Sequence, residues 1–136
     1  MKPYEGRLHK ALHDLLSAKK LIGGNDPIRD TAAYHTQQCA EKSLKAFLAF
    51  HNRSIDKTHD LQLLFEFCID IDPSYAELYE DGLTINPYST IFRYPGVVVE
   101  PEMKDIQEAI EVAEKILNIT VSKLGLEKNW HKHLSK

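Results

Sequence analysis

One stretch of this chain admits a single backbone period. From Met103 to Leu124 the apolar residues Met103, Ile106, Ile110, Ala113, Leu117, Val121 and Leu124 recur three and four apart. That spacing places them on one face of a helix and on both faces of a strand. A second stripe, Ala109, Val112, Ile116 and Ile119, runs beside the first. The two together are wider than one helix of a small bundle needs for its core. The excess predicts a dimer interface, with a wide core-facing stripe as the plainer alternative. Gly125 follows and closes the helix, because glycine accepts the left-handed conformation of a C-terminal cap.

The same period recurs upstream. Leu8, Leu12 and Leu15, extended by Ala11, Ala18 and Ile22, predict a helix over residues 4–22, stopped by "GGND". Asn25 or Asp26 as cap, with Pro27 in the first turn, predicts a second helix running to about His51. Its apolar face is Ala33, Ala40, Leu44, Phe47 and Leu48. After the polar loop "NRSIDK", Thr58 is the expected cap of a third helix, with Asp60 in its first turn. Leu61, Leu64, Phe65 and Cys68 form its inner face, and "DIDP" ends it. A short helix is expected over residues 74–80. The segment "DGLTINPYSTIFRYPGVVVEP" carries two glycines and three prolines and is expected to be irregular throughout. The fold class is therefore all-α: an antiparallel up-and-down bundle of four main helices plus a short helix and an irregular loop. Residues 1–125 make the bundle, and 126–136 form a basic tail that either frays or is docked by Trp130.

Composition narrows the function classes. The net charge of −3 lacks the basic surplus of a protein that wraps duplex nucleic acid, so nucleic-acid contact must come from a local cluster. No apolar run approaches the ~20 residues that cross a bilayer, and no leader pattern opens the chain, which points to the cytoplasm and to no membrane contact. Cys39 and Cys68 lack ligand spacing and are expected to be buried thiols. "HKH" in the tail is too loose for a metal site, and neither metal nor cofactor is expected. Nucleophile elbows, zinc-protease motifs and phosphate loops are missing. Carboxylates are plentiful, yet none pair on an evidently apolar face.

Three constellations remain. Thr31, His35, Gln38, Lys42 and Lys45 share one face of the second helix, flanked by Gln37 and Glu41. Such a face is either solvated or the wall of a groove whose ammonium, amide and imidazole groups suit a phosphate and a base. In "FRYPG", Arg93 offers a phosphate fork beside the stackable ring of Tyr94; alternatively the rings plug the loop onto the bundle. In "HNRSIDKTHDL", Arg53 and His59 stand with five residues between them. In one pocket such a pair cleaves RNA without metal, the imidazole moving the 2′-hydroxyl proton and the guanidinium stabilising the phosphorane. The plainer reading makes "THD" a helix start.

The order "YHTQQCAEKSLKAFLAF", "KTHDLQLL", "FRYPG" and a final alanine-bearing amphipathic helix resembles the HEPN family over roughly residues 4–124. The resemblance implies a helical bundle, often a homodimer, with a nucleotide- or RNA-directed role. It implies a minimal nucleotidyltransferase as partner in a toxin–antitoxin-like pair. Toxic members are metal-independent endoribonucleases with an Arg, four to six residues, then a His, and Arg53 to His59 matches that spacing. Position 61 is leucine where some members carry a modified tyrosine. His35, Gln38, Lys42, Lys45, His59, Asp60, Arg93 and Tyr94 match recurrent polar positions of one branch. These implications leave three functional readings: a nucleotide- or RNA-binding protein, an endoribonuclease using Arg53 and His59, and an interaction module without ligand.

Overall fold

The computed structural model describes residues 2–92, 95, 100–126 and 129–131. Among them are five α-helices, two 3₁₀ turns and no strand, in the order α1 (Pro3–Ile22), α2 (Arg29–Phe50), α3 (Leu61–Ile71), a 3₁₀ turn Pro73–Leu78, α4 (Tyr79–Ile85), a 3₁₀ turn Asn86–Ser89 and α5 (Met103–Lys123). The expected all-helical fold with four longer helices is observed. No helix among the described residues is long and apolar enough to cross a membrane.

α2 is the central element. It packs against α1, α3, α4, α5 and the Asn86–Ser89 turn. From Thr36 to Leu48 every residue except Lys42 is buried. Leu8, Leu15, Leu44, Phe47, Leu64, Phe65, Ile106 and Leu117 form the heart of the core. Burying each such side chain contributes about 1.5–3 kcal/mol. Tyr75 lies in the core edge-on to Phe47, and its hydroxyl shares a 2.8 Å hydrogen bond with Thr120 Oγ1. Both thiols are free and buried. Desolvation pushes Cys39 far above the ordinary thiol range and Cys68 up to about 12, so neither is a thiolate near neutrality.

Three details differ from the sequence expectation. α2 starts at Arg29, not at the Asn-Asp-Pro motif, and Ile28 at its cap position offers no side-chain oxygen. The Ile28 N–H donates back to the Leu21 carbonyl at 2.8 Å, which straps the connection to α1 instead. Thr58 is not the cap of α3. Its hydroxyl accepts from the Asp60 N–H, and the Asp60 carboxylate accepts from the Gln62 N–H at 3.0 Å, so Asp60 is the cap. Finally, the segment after Glu80 is partly regular: α4 continues through Gly82 to Ile85. A Cβ on Gly82 would stand 2.3 Å from Phe65 Cε2, so glycine is there for a close approach of α4 to α3.

α5 ends as expected. Gly125 has φ +73°, its N–H donates to the Ser122 carbonyl, and the Leu126 N–H donates to the Val121 carbonyl. These two bonds are the Schellman pattern. Trp130 is 8% exposed and docks the start of the tail on the bundle. Of the second stripe on α5, Ala109 and Ile116 are buried within the chain, whereas Val112 and Ile119 are half-buried.

Candidate functional site

The polar row of α2 is only partly solvated: Thr31 is exposed, His35 and Lys42 are half-buried, and Gln38 and Lys45 are buried. It is organised around two buried carboxylates. The first belongs to α1. Asp14, 7% exposed, accepts from His35 Nδ1 at 2.7 Å and from Lys42 Nζ at 2.6 Å. His35 and Lys42 keep roughly a third of their side chains in solvent. The second belongs to α2 itself. Glu41, 3% exposed, accepts from Lys45 Nζ at 3.0 Å and from His59 Nδ1 at 3.1 Å. Each centre thus sets one carboxylate against one lysine and one histidine. In both, the Nδ1–H held by the carboxylate directs the second ring nitrogen, Nε2, away from it.

The second centre has a deeper frame. Lys45 also donates to the Asp56 carbonyl at 3.1 Å, and the Asp56 carboxylate pairs with Arg7 of α1. Gln37 donates to the His59 carbonyl at 3.0 Å, and Gln38 donates to Gln37 Oε1 at 2.8 Å. Asn86 completes the arrangement from the other side. It accepts from the Leu61 N–H at 2.8 Å and donates to Asp60 Oδ1 at 2.9 Å. The residues before α3 are therefore held by α2 and by the Asn86–Ser89 turn together. His59 itself remains mostly in solvent, with 69% of its side chain exposed.

Arg53 lies elsewhere. Its guanidinium donates to Asp70 Oδ2 at 3.0 Å. Asp70 is near the far end of α3, roughly 13 Å along the axis from Leu61 at helical rise. His59 faces Glu41 before the start of the same helix. Within one chain, then, the two side chains are held at opposite ends of α3. The Arg53–Asp70 pair is exposed on both sides and is of the weak kind.

A recess of about 280 Å³ opens at the N-terminal half of α2. Asp30, Thr31, Tyr34 and His35 line one wall, and Phe92 of the following loop lines the other. Arg93 and Tyr94, one and two residues further on, fall outside the described residues. Of the expected site residues, His35 and Lys42 share Asp14, and Gln38, Lys45, His59 and Asp60 belong to the Glu41 frame. No group of three His, Cys, Asp or Glu able to hold a metal is found among the described residues.

Asp14 was not expected in the site, and sequence offers a signal for it. It stands between Ala11 and Ala18 at spacings of three and four, on the apolar face of α1. A carboxylate in such a row must find a cationic or donor partner when the face is buried. Asp14 stands on that face as a single carboxylate, not as one of a pair.

The model of the HEPN domain family matches residues 4–124. The chain is similar to ST0689, described as an archaeal HEPN homologue, at 26% identity and a TM-score of 0.68 over 90% of this chain and 98% of that one. It is also similar in fold to TT1696 from Thermus thermophilus, at 24% identity and a TM-score of 0.73 over 90% and 99% of the two chains. No curated protein gives a significant match.

Proposed function

The chain belongs to the HEPN family, and on that premise we propose that it binds a nucleotide unit, free or within RNA, between α2 and the loop after the Asn86–Ser89 turn. The observation that carries this reading is the recess bounded by Tyr34 and Phe92, with His35 on its wall. The Phe92 ring offers a face on which a base can stack. A volume of about 280 Å³ lies just under the usual range of ligand sites, which limits the recess to a small ligand unit. His35 is tied through Asp14 to Lys42, which continues along α2 and supplies positive charge for a phosphate. Arg93 and Tyr94 lie outside the described residues and enter the proposal from the sequence alone. In this reading Gln38, Lys45 and Asp60 hold the wall, because their polar atoms are committed to Glu41, Gln37, Asn86 and the start of α3.

Titration calorimetry with mononucleotides and with a short single-stranded RNA tests the proposal. Wild type binds at least one of them. Phe92→Ala weakens binding roughly five- to a hundredfold, the range of one lost stacking contact. Equal affinity of wild type and variant places the ligand elsewhere, and a wild type that binds none of these probes ends the proposal.

A second reading rests on His59. Its Nδ1 is held by the buried Glu41 and its ring is open to solvent, the arrangement of an oriented general base. With Arg53 brought from a second copy, the pair becomes a metal-independent endoribonuclease centre. Cleavage of single-stranded RNA in EDTA by wild type and none by His59→Ala is then expected; equal background from both removes this reading. A homodimer is proposed on either reading, with Val112 and Ile119 of α5 and the 48%-exposed Leu16 of α1 as apolar surface for it. A minimal nucleotidyltransferase is the proposed partner. Sedimentation as a monomer at micromolar concentration counts against the dimer.

A further inference from the structure

We infer that the groove between α3 and α4 docks a segment of another protein in which arginine or lysine stands beside apolar side chains. The first observation is one of charge. Between Lys57 and Arg93 the chain has seven acids and no lysine or arginine, a formal charge of −7 with histidine neutral. The whole chain carries −3, so the remainder carries a surplus of +4. The acidic stretch comprises α3, both 3₁₀ turns and α4. Three of its acids are in use. Asp60 caps α3 and meets Asn86, Asp70 holds Arg53, and Asp72 holds Lys123. The other four, Glu66, Glu77, Glu80 and Asp81, have no partner among the described residues, and all four line one groove of about 570 Å³. Glu80 and Asp81 stand in the first turn of α4, where a helix start favours them. Glu66 lies in the middle of α3 and gains nothing from a helix end. Glu77 stands three and four residues before Glu80 and Asp81, a spacing at which like charges repel.

The second observation is the floor. Ile69, Ala76 and Tyr79 lie among the four carboxylates, with the Tyr79 ring edge-on to Phe65. Leu63, 38% exposed, stands one turn before Glu66 on α3 and extends the apolar surface. A small polycation or a metal ion answers the rim and leaves this floor wet. An arginine or lysine side chain answers both, because its stem lies along apolar surface while its charged end stays at the rim. A guanidinium also stacks on a tyrosine face. An apolar neighbour on the same segment removes Leu63 and Ile69 from water, which favours association. Nucleic acid is turned away, since its phosphates would meet four unpaired carboxylates. Complementary charge at such a surface speeds encounter and rejects wrong partners. The groove shares no residue with the recess at α2, so the inference is independent of the nucleotide reading.

Calorimetry of the full chain with three probes tests this: a short synthetic peptide of alternating Arg and Leu, the same peptide with Ser for Leu, and spermidine. The Arg–Leu peptide is expected to bind, and the other two to bind at least several-fold more weakly. Replacing Glu66, Glu77 and Glu80 by Gln and Asp81 by Asn together weakens the peptide roughly ten- to a hundredfold, the range of four exposed ion pairs lost at once. All four positions are exposed, so the fold tolerates the change. A control of equal charge, with Glu102, Glu108 and Glu111 replaced by Gln and Asp105 by Asn, is also exposed and leaves binding within about twofold of wild type. In wild type, amide NMR shifts on adding the peptide concentrate over residues 63–81, a readout that needs no variant. Wild type that binds no probe overturns the inference. So do equal losses in the two charge variants, which reduce binding to net charge, and shifts that fall outside α3, the Pro73–Leu78 turn and α4. Spermidine or the Ser peptide binding as tightly as the Arg–Leu peptide overturns it as well, because the floor is then unused.

Discussion

The two carboxylate centres use the same three side-chain types and solve different problems. Glu41, Lys45 and His59 are arranged around a pair that is almost sealed: the carboxylate and ammonium side chains are 4% and 9% exposed. Asp14, His35 and Lys42 are arranged around a single sealed group, with both donor partners reaching water. Desolvating two charges costs several kcal/mol each, and only good geometry with extra hydrogen bonds recovers it. The Glu41 centre has those extra bonds from Gln37, Gln38 and the Asp56 carbonyl. The Asp14 centre does not need them. One centre is therefore sealed into the fold, and the other keeps both partners of its carboxylate within reach of water.

Removing each carboxylate should separate the roles. Glu41→Ala leaves the Lys45 ammonium buried and unpaired, and a loss of about 3–5 kcal/mol is expected. Asp14→Ala leaves two groups that can turn to water, with an expected loss of about 1–3 kcal/mol. Chemical denaturation of the two variants measures both, and an equal or larger loss for Asp14→Ala breaks the distinction. A third variant sharpens it. Glu41→Leu with Lys45→Met keeps the volume and removes both charges, and such replacements are often neutral or stabilising by about 1–4 kcal/mol. If the double variant is as stable as wild type, the buried pair is not retained for stability, and its role in holding His59 becomes the reason for it. If the double variant unfolds as readily as Glu41→Ala, the pair is structural after all.

These contrasts also show what sequence could carry. The helices α1, α3 and α5 were legible because their signal is local: apolar residues three and four apart, a carboxylate near a helix start, a glycine after the last turn. α4 was not followed past Glu80, because the reason for a helical glycine at 82 is the ring of Phe65 on another element. Thr58 and Asp60 both have cap chemistry, and the choice between them depends on Asn86, which meets Asp60 from 26 positions away. The row Thr31, His35, Gln38, Lys42, Lys45 was visible as a row. Its burial was not, since α2 becomes central only when the other helices close around it. Asp14 reaches His35 and Lys42 across 21 and 28 positions. A single sequence marks such a group as out of place on its apolar face without naming its partners. The Arg53–His59 spacing shows the converse: nearness in sequence did not make nearness of side chains, because Arg53 is held by Asp70 near the far end of α3 and His59 by Glu41 of α2.

The smallest effect is expected where a carboxylate–lysine pair lies near the surface. Lys123 donates to Asp72 Oδ2 at 2.7 Å and also to the Ser74 hydroxyl. The Lys123 hydrogen bond, followed by those from Ser74, holds Asp72 well below the ordinary carboxylate value, at about 2. Because the folded value is depressed, the pair contributes stability above the unfolded value near 3.8 and loses it as pH falls toward 2. Carbon-detected NMR titration should find the Asp72 carboxyl still ionised at pH 3. In Lys123→Met its midpoint should rise toward the ordinary value, with only a slight change in unfolding temperature at pH 7, as for solvent-screened pairs. A depressed midpoint that survives this substitution would assign the effect to Ser74 and the turn that Asp72 caps. It would also mean that lysine partnership matters for carboxylates in this bundle only where water is excluded, as at Glu41.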